Sequence, residues 1–579
     1  MRRNVSRVIG GRISFLRSHW RGFCTTLLPV ILLPIFLIGG TTSLKCLYVI
    51  ILMVGYWVSE SLPLPITALI PTVLFPTMDI ISSDIVPICY ITEGNILFMC
   101  SLMLALAIEH SQLHRRLGLG LLLAVKCRLR LFNFVLAALA TFVSMWMANV
   151  SAIVVLYPIL DAAFRCLQSH STEISYFSRL EAAEETLDLS HVNLERDEEE
   201  VPSREAICTF LTCAYASTVG GISCMAADSI NHNFNAIHSE KFPSVPNEVT
   251  TLKWALLNLP IALITIASLW LWLQVQYMGL FREKSNAAQR LERFTLEKVQ
   301  VRAGIRDEFK DLGALTFHEI GVAGCLLLAL FLWFFRQPDF LEGWSTLFTE
   351  LKVFADFHIR SFQMFVYGFA CQIQDSTCSI LIVALLFMIP SKFDWRKLVS
   401  EDYEREDWDG LLTWAVVQKR MPWGLLVLVG GGNAIVEGSR SAGIGQGLVH
   451  KLRDNYHLLP KFAVLAAVCF LGSVLTELSG HIAVIDLLLP IAADIAQMAR
   501  WHPLYLMIPV TIASSHAFCL PASAPTNAVV QFYCKIPTRE MLLAGIAVSV
   551  IAASVILLVF PLFGAIMFGI HKENFIEYT

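Results

Sequence analysis

Polar side chains able to bind ions stand inside stretches that are otherwise apolar. Asn149 and Ser151 lie in "WMANVSAIVVLYP" (146–158), and His481 lies in "TELSGHIAVIDLLLP" (476–490). Asp228, Asn231, His516 and Asn527 occupy similar surroundings further along each half of the chain. An amide or hydroxyl donates a hydrogen bond to an anion and lends a lone pair to a cation. An imidazole titrates near neutral pH, so it carries a proton or, when charged, holds an anion. Ionisable groups at membrane depth are expensive and mark functional positions by default. Each also has a plainer reading: Asn149 as a core amide satisfying loose backbone, His481 as a neutral ring on a hairpin carbonyl, and Asp228 as a helix cap. No nucleophile–base or metal-ligand spacing appears, and "GGG" at 430–432 lacks the Lys-Ser/Thr of a phosphate loop. Neither an enzyme nor a resident metal or cofactor is expected.

The elements that must position these groups are membrane helices. The chain has 579 residues, 56% hydrophobic and 16% charged, with a mean hydropathy of +0.62, against about 25% charged in soluble domains. A net charge of −4 points away from a nucleic-acid partner, and the expected partner is the lipid bilayer. The 15 cysteines are scattered through apolar runs with no CxxC, as befits buried thiols. A span needs roughly 20 apolar residues. About eleven spans are expected, near 25–43, 46–60, 62–78, 94–113, 206–228, 254–278, 317–336, 362–390, 422–438, 503–530 and 541–569. Two further apolar pieces, 131–166 and 461–498, are short halves around a polar tip and read as re-entrant hairpins. Non-helical backbone at that depth must line a cavity or lie inside protein.

The expected layout is an N-terminal arm (1–24), a first membrane half (25–278), a linker (279–316) and a second half (317–579). The arm carries six Arg and no acid, which places it in the cytoplasm by the positive-inside rule. Residues 167–204, with ten acids against three bases, read as a solvated cytoplasmic loop. Segments 282–311 and 391–411 mix both signs, and an exposed amphipathic helix is expected in each.

The two halves overlay. Matching Pro158 with Pro490 sets Asn149 opposite His481, Ala148 opposite Gly480 and Val150 opposite Ile482. Upstream, Glu109 matches Glu437, both read as braces for the hairpins; downstream, Asn231 matches Asn527. Each half thus holds a Glu-bearing helix, a hairpin and an interrupted helix with Asn. This order suggests an inverted repeat, and in such transporters solute and ions bind near the midplane at broken helices. Half-helix N-termini offer N–H groups to an anion, and unwound carbonyls hold cations.

The pieces "LMLALAIEHSQLHRR", "LVGGGNAIVEGSRSAGI", "LTELSGHIAVIDLLLPI" and "HPLYLMIPVTIASSHAFCLPASAPTNAVV" carry a family likeness. From about residue 28 to 569 the chain resembles the divalent anion:sodium symporter family (solute carrier family 13), which includes di- and tricarboxylate and sulfate carriers. The resemblance implies Ser-Asn-Thr at each hairpin tip, holding substrate carboxylates and framing two sodium sites with the interrupted helices. Carried onto this sequence, the substrate contacts are Asn149, Ser151, Gly480, His481, Pro525 and Asn527. The ion contacts are Asn149, Gly220, Gly221, Asp228, Asn231 and Asn527. The tips depart from the motif: the first is Ala148-Asn149-Val150 and the second Gly480-His481-Ile482. The hydroxyls are gone, and a buried carboxylate short of a donor loses about 1–3 kcal/mol per bond.

The resemblance implies an all-α homodimer with scaffold and transport parts, moving small anions across the plasma membrane by an elevator-like shift. The expected solute is a di- or tricarboxylate of the citrate or succinate type. Family-type sodium coupling is not expected, and Na+ or H+ is the candidate coupling ion. The alternatives are a carrier of another anion such as sulfate, or a relative that does not transport.

Overall fold

The computed structural model describes residues 20–186, 203–225, 229–242, 249–282, 284–336, 343–344, 374–392, 409–444, 446–521 and 523–568. Among these the chain is helical throughout, with one isolated β-bridge between Pro390 and Gly410. The first half begins with α1 (Trp20–Gly39) and α2 (Thr42–Ser59). Three short pieces follow: α3 (Leu64–Ala68), α4 (Ile70–Thr77) and α5 (Ile85–Tyr90). The expected single span at 62–78 is therefore broken. Pro63, Pro65, Pro71 and Pro76 remove backbone donors across that stretch, and a continuous helix does not tolerate such density.

Next come α6 (Glu93–His110), α7 (Leu113–Ala124), α8 (Leu129–Ser144) and α9 (Asn149–Thr186). Thr92 starts α6 by accepting the Asn95 N–H at 3.3 Å. The first hairpin is α8 and the start of α9. That second arm does not stop at residue 166 but continues as helix to Thr186, through part of the expected loop at 167–204; residues 187–202 lie outside the described set. The interrupted helix follows as α10 (Arg204–Gly221) and α11 (Ser229–Lys241), then α12 (Thr251–Tyr277).

The linker carries the expected amphipathic helix as α13 (Asn286–Asp311), leading into α14 (Phe317–Phe334). Arg116, at the start of α7, joins these two elements. It donates to the Leu312 and Gly313 carbonyls at 3.1 and 2.9 Å, and to Glu319 at 3.0 Å. Glu319 in turn closes a capping box with Thr316.

The second half continues with α15 (Asp375–Met388), α16 (Trp414–Arg420), α17 (Trp423–Ala442) and α18 (Gln446–Asn455). Of the segment 391–411, residues 393–408 are outside the described set, as are 362–373 of the expected span at 362–390. The second hairpin is α19 (Lys461–Ser479) and α20 (His481–Met498). The second interrupted helix is α21 (Leu504–Ser514) and α22 (Pro525–Cys534), and α23 (Thr538–Phe568) closes the chain as described.

Among the described residues, seven helical stretches are long and apolar enough to cross a bilayer: 42–59, 85–110, 149–170, 251–277, 317–334, 461–478 and 538–568. Shorter apolar helices at 20–35, 64–77, 129–144, 375–388 and 504–514 accompany them. The count of about eleven uniform spans thus resolves into full spans and partial ones, as broken helices and hairpins require. This is a multi-pass, all-α membrane protein.

The repeat is visible in the packing. α8 lies along α10, and α19 lies along α21, so each hairpin's first arm braces the following interrupted helix. The distal arms then exchange. α22 packs on α9, α10 and α17, while α11 packs on α20 and α21. The hydrophobic core divides accordingly. One cluster spans the first half with α17 and α22, and a second joins Ile222, Ile230, Phe234 and Trp254 to α19, α20, α21 and α23.

Candidate functional site

The two helix breaks are built alike from single asparagines. Asn231 is fully buried on α11, and its Nδ2 donates to the Gly221 and Cys224 carbonyls at 3.2 and 2.8 Å. Asn527 is fully buried on α22, and its Nδ2 donates to the Ala517 and Leu520 carbonyls at 3.1 and 3.2 Å. In both, the amide reaches back ten and seven residues to carbonyls freed where the preceding helix ends. In both, Oδ1 is buried without a protein partner.

The hairpins repeat a second device. Ser144 and Thr476, paired by the proline overlay, donate to the carbonyls of Ser217 and Ser514 at 2.5 and 3.1 Å. Thr141 and Ser473 reach the neighbouring carbonyls of Ala216 and Ala513, each at 3.4 Å. A hydroxyl one turn from each tip thus anchors the hairpin to the last turn of the interrupted helix.

Asn149 stands where the first hairpin meets the first break. Its Oδ1 lies 2.6 Å from Ser144 Oγ, and its backbone carbonyl accepts the Ser217 hydroxyl at 2.8 Å. Ser144 has one proton and faces two oxygens. That single hydroxyl is shared between the Asn149 amide oxygen and the Ser217 carbonyl, and so ties the hairpin tip to the end of the interrupted helix. Gly220 and Gly221 permit this approach: a Cβ on Gly220 would sit 2.6 Å from the Thr141 carbonyl, and one on Gly221 would enter the Asn149 side chain. Sequence reading brings Asn149, Gly220, Gly221 and Asn231 together, and they meet here.

Other candidates fall differently. Ser151 is buried, and its hydroxyl shares a 2.7 Å hydrogen bond with Ser101 on α6. Asp228 lies outside the described residues. His481 is partly exposed at the first position of α20. Gly480 forms the second tip with φ +75°, a conformation open to glycine, and a Cβ there would also crowd Val436. Pro525 opens α22 at a position where its missing N–H costs nothing.

Two features escape the sequence reading. Glu477, on α19 three residues before the tip, accepts the N–H groups of Phe518, Cys519 and Leu520 at 2.7, 3.0 and 3.4 Å. Its carboxylate fills the ring of amides at the second break, whereas the overlay gives Met145 at the matching place in the first half. The signal was an acid on an apolar arm beside a tip. The second feature is that the breaks meet: Thr218 on α10 and Thr526 on α22 share a 3.2 Å hydrogen bond. Along the two interrupted helices and at their breaks, Tyr215 Oη, Ser223 Oγ, Ser514 Oγ and both ring nitrogens of His516 are buried without a protein partner. His516 stacks on Phe518 at 5.3 Å, and Phe518 meets Tyr215 edge-on at 5.1 Å. Such groups cost about 1–3 kcal/mol each unless another species engages them.

Residues 17–570 match the sodium:sulfate symporter transmembrane region. The chain is 32% identical over 568 residues to solute carrier family 13 member 2 of Oryctolagus cuniculus, covering 94% of this chain and 93% of the relative. It is 30% identical over 542 residues to the Drosophila melanogaster protein "I'm not dead yet", covering 93% and 88%. It is 29% identical over 568 residues to the Rattus norvegicus Na+/citrate cotransporter, covering 94% of each. Shared sequence along nearly the whole length, joined to two hairpins and two asparagine-locked helix breaks, establishes that this chain belongs to the sodium:sulfate symporter family, the divalent anion:sodium symporters.

Proposed function

We propose that the protein is a secondary transporter of small organic di- or tricarboxylates of the citrate and succinate type. The observation that carries this reading is the set of buried, unpartnered polar groups on both broken helices, where Thr218 and Thr526 meet. An anion takes N–H and O–H donors from such a centre, and a cation takes the amide oxygens. The relative named as a Na+/citrate cotransporter supports this solute class.

The first break is the preferred carboxylate site. Glu477 already occupies the amides of the second, and a like charge there disfavours a second carboxylate. The tips lack the Ser and Thr hydroxyls of the family motif, so sodium is held less tightly than in a typical member. His481 supplies a donor to the anion and opens a proton-linked route. Solute crosses by an elevator-like displacement of the hairpins and broken helices within a homodimer, at the plasma membrane with the N-terminus in the cytoplasm. Sulfate is the second reading, favoured by the family's own description.

Radiolabelled citrate, succinate and sulfate uptake into proteoliposomes, with and without a sodium gradient and at two pH values, tests this. Carboxylate uptake that responds more to pH than to sodium is expected. Sulfate uptake alone supports the second reading, and uptake of none of the three by folded protein overturns both.

A further inference from the structure

Away from the helix breaks, Cys166, His170 and Glu308 bring their ligand atoms within 4.8 Å of one another. Cys166 and His170 are four residues apart on α9, hence on one face, at the end of the apolar stretch 149–170. Glu308 faces them from α13, in the segment joining the two membrane halves. Cys166 Sγ lies 2.9 Å from Glu308 Oε2, and His170 Nε2 lies 3.3 Å from the same oxygen. We propose that these three side chains form a binding site for a borderline-soft divalent cation of the Zn2+ class.

The surroundings are built for ligation. Arg115 on α7 pairs with Glu308 Oε1, which orients the carboxylate and leaves Oε2 for the other two residues. Gly304, one turn before Glu308, opens the slot for the imidazole. A Cβ there would stand 2.9 Å from both Cε1 and Nδ1 of His170, so the ring lies over Gly304 with Nε2 toward Glu308. Cys166 is buried, while His170 and Glu308 are partly exposed, so an ion enters from the aqueous side. Thiolate, imidazole and carboxylate are the donor types Zn2+ takes, and three protein ligands leave a fourth position for water. On binding, the thiol releases its proton to solvent and its hydrogen bond to Glu308 is replaced by shared ligation. The ion would fasten the inter-half helix α13 to the extension of hairpin arm α9. The sequence hides this site because Glu308 is 138 residues from His170.

The test is a Co2+ titration of the full-length, chelator-treated protein in detergent, followed by Zn2+ competition. One equivalent of Co2+ with a thiolate-to-metal charge-transfer band, displaced by Zn2+, is expected. C166S is expected to abolish the band, and E308Q, which keeps the thiol, to weaken binding at least tenfold, with both eluting from size exclusion as the parent does. A parent protein that shows no band, a band that survives in C166S, or unchanged affinity in E308Q overturns the site.

Discussion

At the scale of single residues, two asparagines do the same work 296 positions apart. Each donates two hydrogen bonds to carbonyls that a broken helix leaves behind. Alanine at Asn231 or Asn527 strands both carbonyls, at about 1–3 kcal/mol for each lost partner. A lowered thermal midpoint in detergent and a loss of uptake are expected for each variant; unchanged values in both would remove the lock from the mechanism. These asparagines were legible because the sequence shows them twice in matching order. Glu477 was not, since its partners are backbone amides 41–43 residues away and no side-chain pattern records them. The partner of Ser151 is hidden from the sequence for the same reason: Ser101 is 50 residues upstream.

At the scale of elements, local chemistry decides where helices stop. The prolines of 63–76 cut one expected span into short pieces, a feature that hydropathy averages away. Charge density alone does not reveal the extension of α9 to Thr186, because a helix leaving the membrane carries charge as readily as a loop. Between α20 and α21 the turn contains His502, whose Nδ1 accepts the Leu504 N–H at 3.3 Å. Burial, with His238 and Lys461 nearby, pushes its pKa down to about 4, from about 6.5 in an unfolded chain. Above pH ~6.5 the ring is neutral in both states and contributes nothing. As pH falls from that value toward about 4, the unfolded chain takes up a proton that the fold refuses, so stability drops across this window. Thermal melts over this range should show the decline, and His502→Gln should flatten it; parallel curves for the two proteins would mean other groups set the slope.

At the scale of the molecule, the repeat organises everything else. Hairpins brace helix breaks, distal arms exchange between the halves, and the two breaks touch at Thr218 and Thr526. The fold class and the pairing of hairpin with interrupted helix were legible from periodicity and the proline overlay. The exchange of α11 and α22 was not, because only the three-dimensional core shows which half each arm joins. The central claim is that an anion binds where the first hairpin, through Asn149, meets the first break at Gly221. Equilibrium binding of radiolabelled succinate to purified protein, beside Asn149→Ala of equal thermal stability, tests it most directly. Saturable binding by the parent and at least tenfold weaker binding by the variant are predicted. Equal affinity in the two, or no saturable binding by the folded parent, would contradict the account.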